Sequence, residues 1–261
     1  MQIITLTTDW GYKDFYTGMV KANLYNAVPN VNIVDITHGI KKYESLAATF
    51  VVRNACLNFP EGTIHIIDVN SFESKNSQFI VVKANNQFYI CTDNGLPSLI
   101  FKGIDVEITS TEYVYEDSNY YTFAVWDKFC KIAKVLANAK STETLGTRIE
   151  KFAIDSPSYN WFREDDTIVC KVAYIDDYGN VFLNITHLEF KQELNGRKFE
   201  LRLDNRYTIN NVVQSYQDVE HTGTALLTIS ATGNLELAMK ESNIARLMGY
   251  KVNDSLKIKI L

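Results

Sequence analysis

The sequence predicts two domains: an N-terminal α/β domain built on a mostly parallel sheet, and a smaller all-β, barrel-like domain after it. Three observations lead there. The first 70 residues alternate short β-branched runs with amphipathic segments, the signature of strand, helix, strand. A polar stretch over residues 140–166 interrupts that pattern. Beyond it, short strands separated by turn residues take over. The boundary is placed within the polar stretch, giving residues 1–160 to the α/β domain and 166–261 to the β domain.

The elements follow in order. Ile3-Ile4-Thr5-Leu6 is a β-branched run that ends at Thr7-Thr8-Asp9-Trp10-Gly11. Residues 14–27 take helical spacing and Pro29 closes them. Val31-Asn32-Ile33-Val34-Asp35-Ile36 is a second strand. Residues 45–59 are helical, with Leu46, Phe50, Val51 and Leu57 on spacings near a helical turn and a stop at Pro60-Glu61-Gly62. Thr63-Ile64-His65-Ile66-Ile67-Asp68-Val69 reads as a strand buried on both faces, as in parallel sheets. Phe79-Ile80-Val81-Val82 and Phe88-Tyr89-Ile90-Cys91 flank Asn85-Asn86 as a hairpin. Residues 127–139 form a further helix. In the second domain, strands are expected over 167–175, 181–185, 198–203, 224–230 and 255–260.

Composition removes several function classes. The chain has 261 residues, 46% apolar and 22% charged, which is globular rather than disordered. With 26 Lys plus Arg against 31 Asp plus Glu, the net charge of −5 argues against a general phosphate-backbone binder. No run of 18 apolar residues exists, so no membrane span is expected, and the N-terminus does not read as a signal peptide. Cys56, Cys91, Cys130 and Cys170 are 35, 39 and 40 residues apart, without CxxC spacing or a nearby histidine. They read as small hydrophobes in a reducing cytoplasm, with neither a metal site nor a redox dithiol. There is no GxGxxG, Walker loop, HExxH or GxSxG. Of four histidines, His65 reads as a structural residue in an apolar strand, while His187 and His221 fall near turns.

The functional hint is where the polar clusters fall. In a parallel α/β sheet, ligands gather at the carboxyl ends of the strands, and Asp9, Asp35 and Asp68 lie at three such ends. Asp14 follows Asp9 by five residues across a strand-to-helix turn, and taken alone it reads as a helix N-cap. Thr92-Asp93-Asn94-Gly95 reads equally as a turn. Ile175-Asp176-Asp177-Tyr178-Gly179-Asn180, with Asn184, reads either as a functional segment or as a hairpin with Gly179 at its tight position.

Taken together and in this order, these segments resemble the S-adenosyl-L-methionine (SAM) hydroxide adenosyltransferases, relatives of the SAM-dependent fluorinases and chlorinases. The segments are Thr7–Gly11 with Asp14, Val34-Asp35-Ile36-Thr37-His38, Phe59-Pro60-Glu61-Gly62-Thr63-Ile64-His65, Thr92–Gly95, Ile175–Asn180 with Asn184, and Gly233-Asn234-Leu235-Glu236-Leu237-Ala238. The resemblance implies a homotrimer that binds SAM between the α/β domain of one subunit and the β domain of its neighbour. It implies substrate-binding roles for Asp9, Asp14, Asp176, Tyr178, Asn180, Phe182 and Thr122. Asp9 would hold the ribose hydroxyls, since a carboxylate accepts two hydrogen bonds side by side. Asp14 and Asp176 would meet the cationic methionine end, Asn180 the adenine edge, and Tyr178 and Phe182 the face of the base.

The implied reaction is attack of water or hydroxide at ribose C5′, releasing adenosine and L-methionine, with SAM as substrate and no cofactor or metal. The family assigns the handling of water to an Asp, an Arg and a His. Here Asp68 holds the Asp position, Lys75 stands for the Arg, and Ala124 stands where the His would be. The family's glycine-rich loop has become Asp68-Val69-Asn70-Ser71-Phe72. Asp68 and Lys75 are therefore the expected catalytic pair of a SAM hydrolase. The alternatives are a SAM- or adenosine-binding member with little catalysis, or a related enzyme with another nucleophile or nucleoside. Val125 removes a hydroxyl position of the halogenase pocket, so halide use is not expected.

Overall fold

β1 (Gln2–Thr8) lies between β2 (Val31–Thr37) and β3 (Ile64–Asp68), parallel to both, and sets the register of the N-terminal sheet. The computed structural model describes residues 1–71, 78–114, 123–156 and 159–261, in two units, Met1–Pro157 and Ser158–Leu261. The catalytic candidate Lys75 and the binding candidate Thr122 lie outside the described residues.

In the first unit seven strands run in the order β2-β1-β3-β5-β4-β6-β7, adding β4 (Gln78–Ala84), β5 (Gln87–Thr92), β6 (Glu107–Val114) and β7 (Gly146–Ile149). β2, β1, β3 and β5 are mutually parallel, whereas β4, β6 and β7 join by antiparallel pairings. Five strands thus point one way, and β4 and β7 the other. The sheet is mixed because Asn85-Asn86 turns the chain straight back, with φ of 49° and 58° at the two residues. Two consecutive left-handed residues are what a tight hairpin turn requires, and asparagine tolerates that region.

Side chains alternate across these strands. Ile4, Leu6, Ile64, Ile66, Val81 and Ile90 pack on one face with Val20 and Leu24 of α1 (Tyr16–Ala27) and Val125, Phe129, Ile132 and Leu136 of α4 (Ala124–Ala139). The same register directs Thr5, Thr7, His65, Tyr89 and Cys91 to the opposite face. There Thr5 Oγ1 meets His65 Nδ1 at 2.7 Å, and the imidazole stacks on Tyr89 at 4.6 Å. His65 is a fully buried structural histidine, as its setting predicts, and burial pushes its pKa down to about 4. Burial pushes all four thiols upward, Cys56 to about 11, so they stay protonated and inert. α2 (Ser45–Ala55) buries Ala47, Ala48 and Val52, and passes into a 3₁₀ turn, Cys56–Asn58. α3 (Leu96–Ile100) follows β5 and was not legible as a separate helix.

The second unit is an antiparallel sheet in the order β12-β11-β15-β9-β10-β14-β13, with β8 (Phe162–Glu164) paired to β9. Its strands are β9 (Thr167–Ile175), β10 (Val181–Thr186), β11 (Phe199–Arg202), β12 (Thr208–Ile209), β13 (Ala225–Ile229), β14 (Asn234–Met239) and β15 (Ser255–Ile260). A bridge between Val212 and Leu227 ties the chain beyond β12 to β13 at the far edge, so the sheet is a nearly closed barrel. Its interior holds Ile168, Cys170, Val172, Val181, Leu183, Leu235, Leu237 and Ile258.

Two expectations need correction. The unit is not purely β, because α5 (His187–Leu194) and α6 (Ile244–Met248) interrupt it. His187 opens α5 rather than lying in a turn; Thr186 and Glu189 cap that helix reciprocally, a signal present in the sequence as T-x-x-E. The polar stretch over residues 140–166, within which the two units divide, also carries β7 and β8.

Candidate functional site

The carboxyl ends of β1 and β3 bring two of the expected carboxylates together. Thr8 pairs with Asp68 in register, and the Asp9 N–H donates to the Asp68 carbonyl at 3.4 Å. Asp9 Oδ2 accepts the backbone N–H of Asn70 at 3.1 Å and of Tyr43 at 3.3 Å. Those two donors fix one carboxylate oxygen. Asp68 is buried, and its Oδ2 accepts the Trp10 indole N–H at 2.6 Å. Charge-assisted bonds of this length are stronger than neutral ones.

The loop after β3 is held from β5. Asn94 Nδ2 donates to the carbonyls of Val69 at 3.0 Å and Asn70 at 2.9 Å, while Asn94 Oδ1 accepts the Leu96 N–H at 3.1 Å. Asn70 is left-handed, with φ of 54°, and this turns its N–H onto Asp9. Thr92–Gly95 is therefore more than a turn: its asparagine braces the loop that braces Asp9. Asp93, next to it, is buried at the end of β5 and accepts the Ala153 N–H at 2.7 Å. Burial raises its pKa, and the N–H groups of Ala153 and Ile154 only partly oppose that.

Asp35 does not join the pair. It lies inside β2, where Lys21 Nζ reaches Oδ2 at 2.5 Å and His38 Nε2 lies 3.2 Å from Oδ1. Partial burial would raise its pKa, but the bonds from Lys21 and His38 outweigh this and hold it below the usual range. His38 itself is buried and its pKa is lowered, chiefly by desolvation, so it is neutral at pH 7. It accepts or donates at Thr8 Oγ1 over 2.8 Å and carries the Trp10 ring in a stack at 5.9 Å. Asp14 is exposed in a bend; the N-cap of α1 is Phe15, not Asp14. Aromatic rings gather beside the carboxylates, with Phe123 edge-on to both Trp10, at 5.2 Å, and Tyr16, at 5.0 Å. Sequence reasoning missed the roles of Asn70, Asn94, His38 and the indole of Trp10, although all four stand inside segments it quoted.

In the second unit, the β9–β10 turn gathers Asp176, Tyr178, Asn180 and, one residue into β10, Phe182. Asn180 donates from its backbone N–H to Asp176 Oδ1 at 2.8 Å and from Nδ2 to Oδ2 at 3.2 Å. Asp176 and Asn180 are thus a linked pair, with Asn180 Oδ1 directed to neither bond. Tyr178 is 81% exposed, and Phe182 is half-buried beside Tyr174. Phe182 pairs in register with Glu236, a buried carboxyl that accepts the Tyr216 hydroxyl. Burial and the nearby Asp176 charge raise the Glu236 pKa, against the Tyr216 bond. Ser230, Thr232 and Asn234 form a small polar chain, with Ser230 Oγ to Thr232 Oγ1 at 2.7 Å and Thr232 Oγ1 to Asn234 Oδ1 at 3.0 Å.

Among the described residues, no group of three or more His, Cys, Asp or Glu is arranged to hold a metal ion, and no helix is long and apolar enough to cross a membrane. Residues 4–146 match the family described as SAM hydroxide adenosyltransferase N-terminal domain, and residues 170–257 match its C-terminal domain. The chain is 24% identical to an (R)-S-adenosyl-L-methionine hydrolase of Methanocaldococcus jannaschii, over 99% of this chain and 96% of that protein. It is 22% identical to a fluorinase of Nocardia brasiliensis, over 99% and 97% of the two chains. A solved structure of an uncharacterized conserved protein from Thermotoga maritima superposes with a TM-score of 0.88 at 26% identity, covering 99% of this chain and all of that one.

Proposed function

The chain belongs to the SAM hydroxide adenosyltransferase family, and from that premise we propose that it hydrolyses SAM to adenosine and L-methionine. The observation that carries this reading is the pairing of Asp9 and Asp68 at adjacent strand ends, each carboxylate held by a fixed donor. Asp9 offers its remaining lone pairs to the ribose hydroxyls. Asp68 receives a proton from water as the oxygen attacks C5′. The C5′–O bond forms, the C5′–S bond breaks, and its electron pair returns to sulfur, turning the sulfonium into the thioether of methionine. The proton passes from Asp68 to solvent. A sulfonium is already a good leaving group, so the reaction needs no redox cofactor or metal; positioning and proton removal carry it. Lys75 adds a positive charge that favours hydroxide-like character on the attacking water.

In the second unit, the Asp176–Asn180 pair supplies a carboxylate for the cationic methionine end and an amide for the adenine edge, with Tyr178 and Phe182 as aromatic faces. Asp14 and Thr122 complete the binding set. The site is assembled in a cytoplasmic homotrimer, with groups of both units drawn from different subunits. A second reading, SAM binding with little turnover, is favoured by one observation: Ala124 stands where the family places its histidine.

Chromatography of SAM incubated with the protein separates the two. Adenosine and methionine accumulating above a protein-free blank support the hydrolase. Tight SAM binding in calorimetry without product overturns it in favour of the binding protein. Light scattering tests the assembly: a stable monomer near 30 kDa that still binds SAM tightly defeats the shared site.

A further inference from the structure

Trp10 exchanges no proton in the proposed hydrolysis, yet its indole N–H meets Asp68 Oδ2 at 2.6 Å. An indole nitrogen is a donor only, so this contact offers a hydrogen to whatever lone pair Asp68 presents there. The ring has little freedom to move away. His38 stacks beneath it at an interplanar angle of 15°, and Phe123 abuts it edge-on at 76°. On either side the backbone is tied down, by Trp10 N–H to Thr8 Oγ1 at 3.5 Å and Gly11 N–H to the His38 carbonyl at 2.7 Å. His38 is itself braced by Thr8 and Asp35. The carboxylate end is equally constrained, because Asp68 closes a strand whose five residues are all buried.

We propose that Trp10 is a positioning residue for Asp68: its indole N–H fixes the rotation of the buried carboxylate, so that a lone pair faces the water that attacks C5′. The inference rests on the hydrolase reading. A general base works only within hydrogen-bond reach and at a defined angle to the proton it takes. A carboxylate free to rotate about its Cβ–Cγ bond spends part of its time misdirected, and a fixed donor on one oxygen removes that freedom. Phenylalanine at position 10 would still stack on His38 and meet Phe123, but would lack the donor. The contribution is therefore separable from packing.

The test uses the full chain and reads the bond itself as well as the rate. The sequence has three tryptophans, Trp10, Trp126 and Trp161, so a ¹H–¹⁵N spectrum should hold three indole resonances, and Trp10→Phe identifies one by its loss. In the unaltered protein that resonance should lie downfield of the other two, and Asp68→Asn should move it upfield while the others stay. In kinetics with SAM, Trp10→Phe should lower kcat about 10- to 100-fold, a range typical of a misplaced acid–base group, with KM and adenosine affinity changed less than about threefold. Asp68→Asn that leaves the Trp10 resonance in place overturns the proposal. So does a Trp10→Phe protein with wild-type kcat when Asp68→Asn is inactive. If Trp10→Phe fails to fold, Trp126→Phe and Trp161→Phe assign the Trp10 resonance by elimination, and the Asp68→Asn spectrum still decides the coupling. Absence of SAM turnover by the unaltered protein sinks the hydrolase reading, whereas the indole shift decides the Trp10–Asp68 bond independently.

Discussion

A methyl group built on Gly179 would lie 2.0 Å from Cγ of Asn243, inside the van der Waals surface of that side chain. Gly179 also has a φ of 83°, and its carbonyl accepts the Ala245 N–H at 3.0 Å. Asn243 cannot step aside freely, because its Oδ1 caps α6 through the Arg246 N–H at 2.7 Å. Gly179→Ala should therefore destabilise the second unit by about 2–4 kcal/mol, combining left-handed strain, overpacking and a disturbed cap. Denaturant unfolding followed by circular dichroism measures it; a loss below about 0.5 kcal/mol would show that the turn relaxes at little cost.

Asp9→Ala removes the acceptor for two backbone donors as well as the expected partner of the ribose. Adenosine affinity should fall by roughly 1.5–3 kcal/mol, the usual range for hydrogen bonds to a charged group. Calorimetry on a folded variant is the check, and unchanged affinity takes Asp9 out of the site.

Asn94→Asp keeps the oxygen that receives Leu96 N–H but loses the amide hydrogens that hold Val69 and Asn70. It also sets a carboxylate against two carbonyl oxygens. The loop should loosen, with a stability loss of about 1–3 kcal/mol and weaker adenosine binding despite an unaltered Asp9. If binding and melting temperature match those of the unaltered protein, the Asn94 brace has no influence on Asp9.

His65 gives the fold an acid limit. Its folded pKa of about 4 lies below the ordinary 6.5, so the native state binds fewer protons than the unfolded chain between those values. Stability contributed by the neutral ring is complete above pH 6.5 and is lost as pH falls toward 4, by up to about 3 kcal/mol. Unfolding free energies at pH 7.5 and pH 4.5 should differ less in His65→Gln than in the unaltered protein. An equal pH dependence in both would locate the acid limit elsewhere.

Much of the architecture was legible because it is written in local patterns. The parallel half of the first sheet followed from isoleucine-rich runs spaced by amphipathic segments, and the hairpin from Asn85-Asn86. β6 escaped because the polar run Thr109-Ser110-Thr111-Glu112 breaks the apolar alternation of Glu107–Val114, and α3 because five residues are too few to show a helical period. Within the site, Asp9 and Asp68 were readable as residues at strand ends. Asn94, Asn70 and the Trp10 indole were not, because their roles lie in contacts between segments distant in sequence: Asn94 reaches 24 residues back to Asn70, and Trp10 reaches 58 forward to Asp68. Asp35 misled for the same reason, since only the fold brings Lys21 against it.

The two-residue turn at Asn85-Asn86 has a consequence for how the chain finds its structure. It closes the β4–β5 ladder from Ala84↔Gln87 outward to Phe79↔Thr92, so those pairings cost almost no loop entropy. Pairing β1 with β3 instead joins Ile4 to Ile64, closing a loop of about 60 residues before any reward arrives. The hairpin is thus the natural seed of the N-terminal sheet. β3 would add to its edge first, and β1, which leads directly into Asp9, would arrive after it. In this order the pair of carboxylates forms late in refolding, when most of the hydrophobic surface is already covered. A substitution that spoils the turn, such as Asn86→Val, should slow refolding far more than it hastens unfolding.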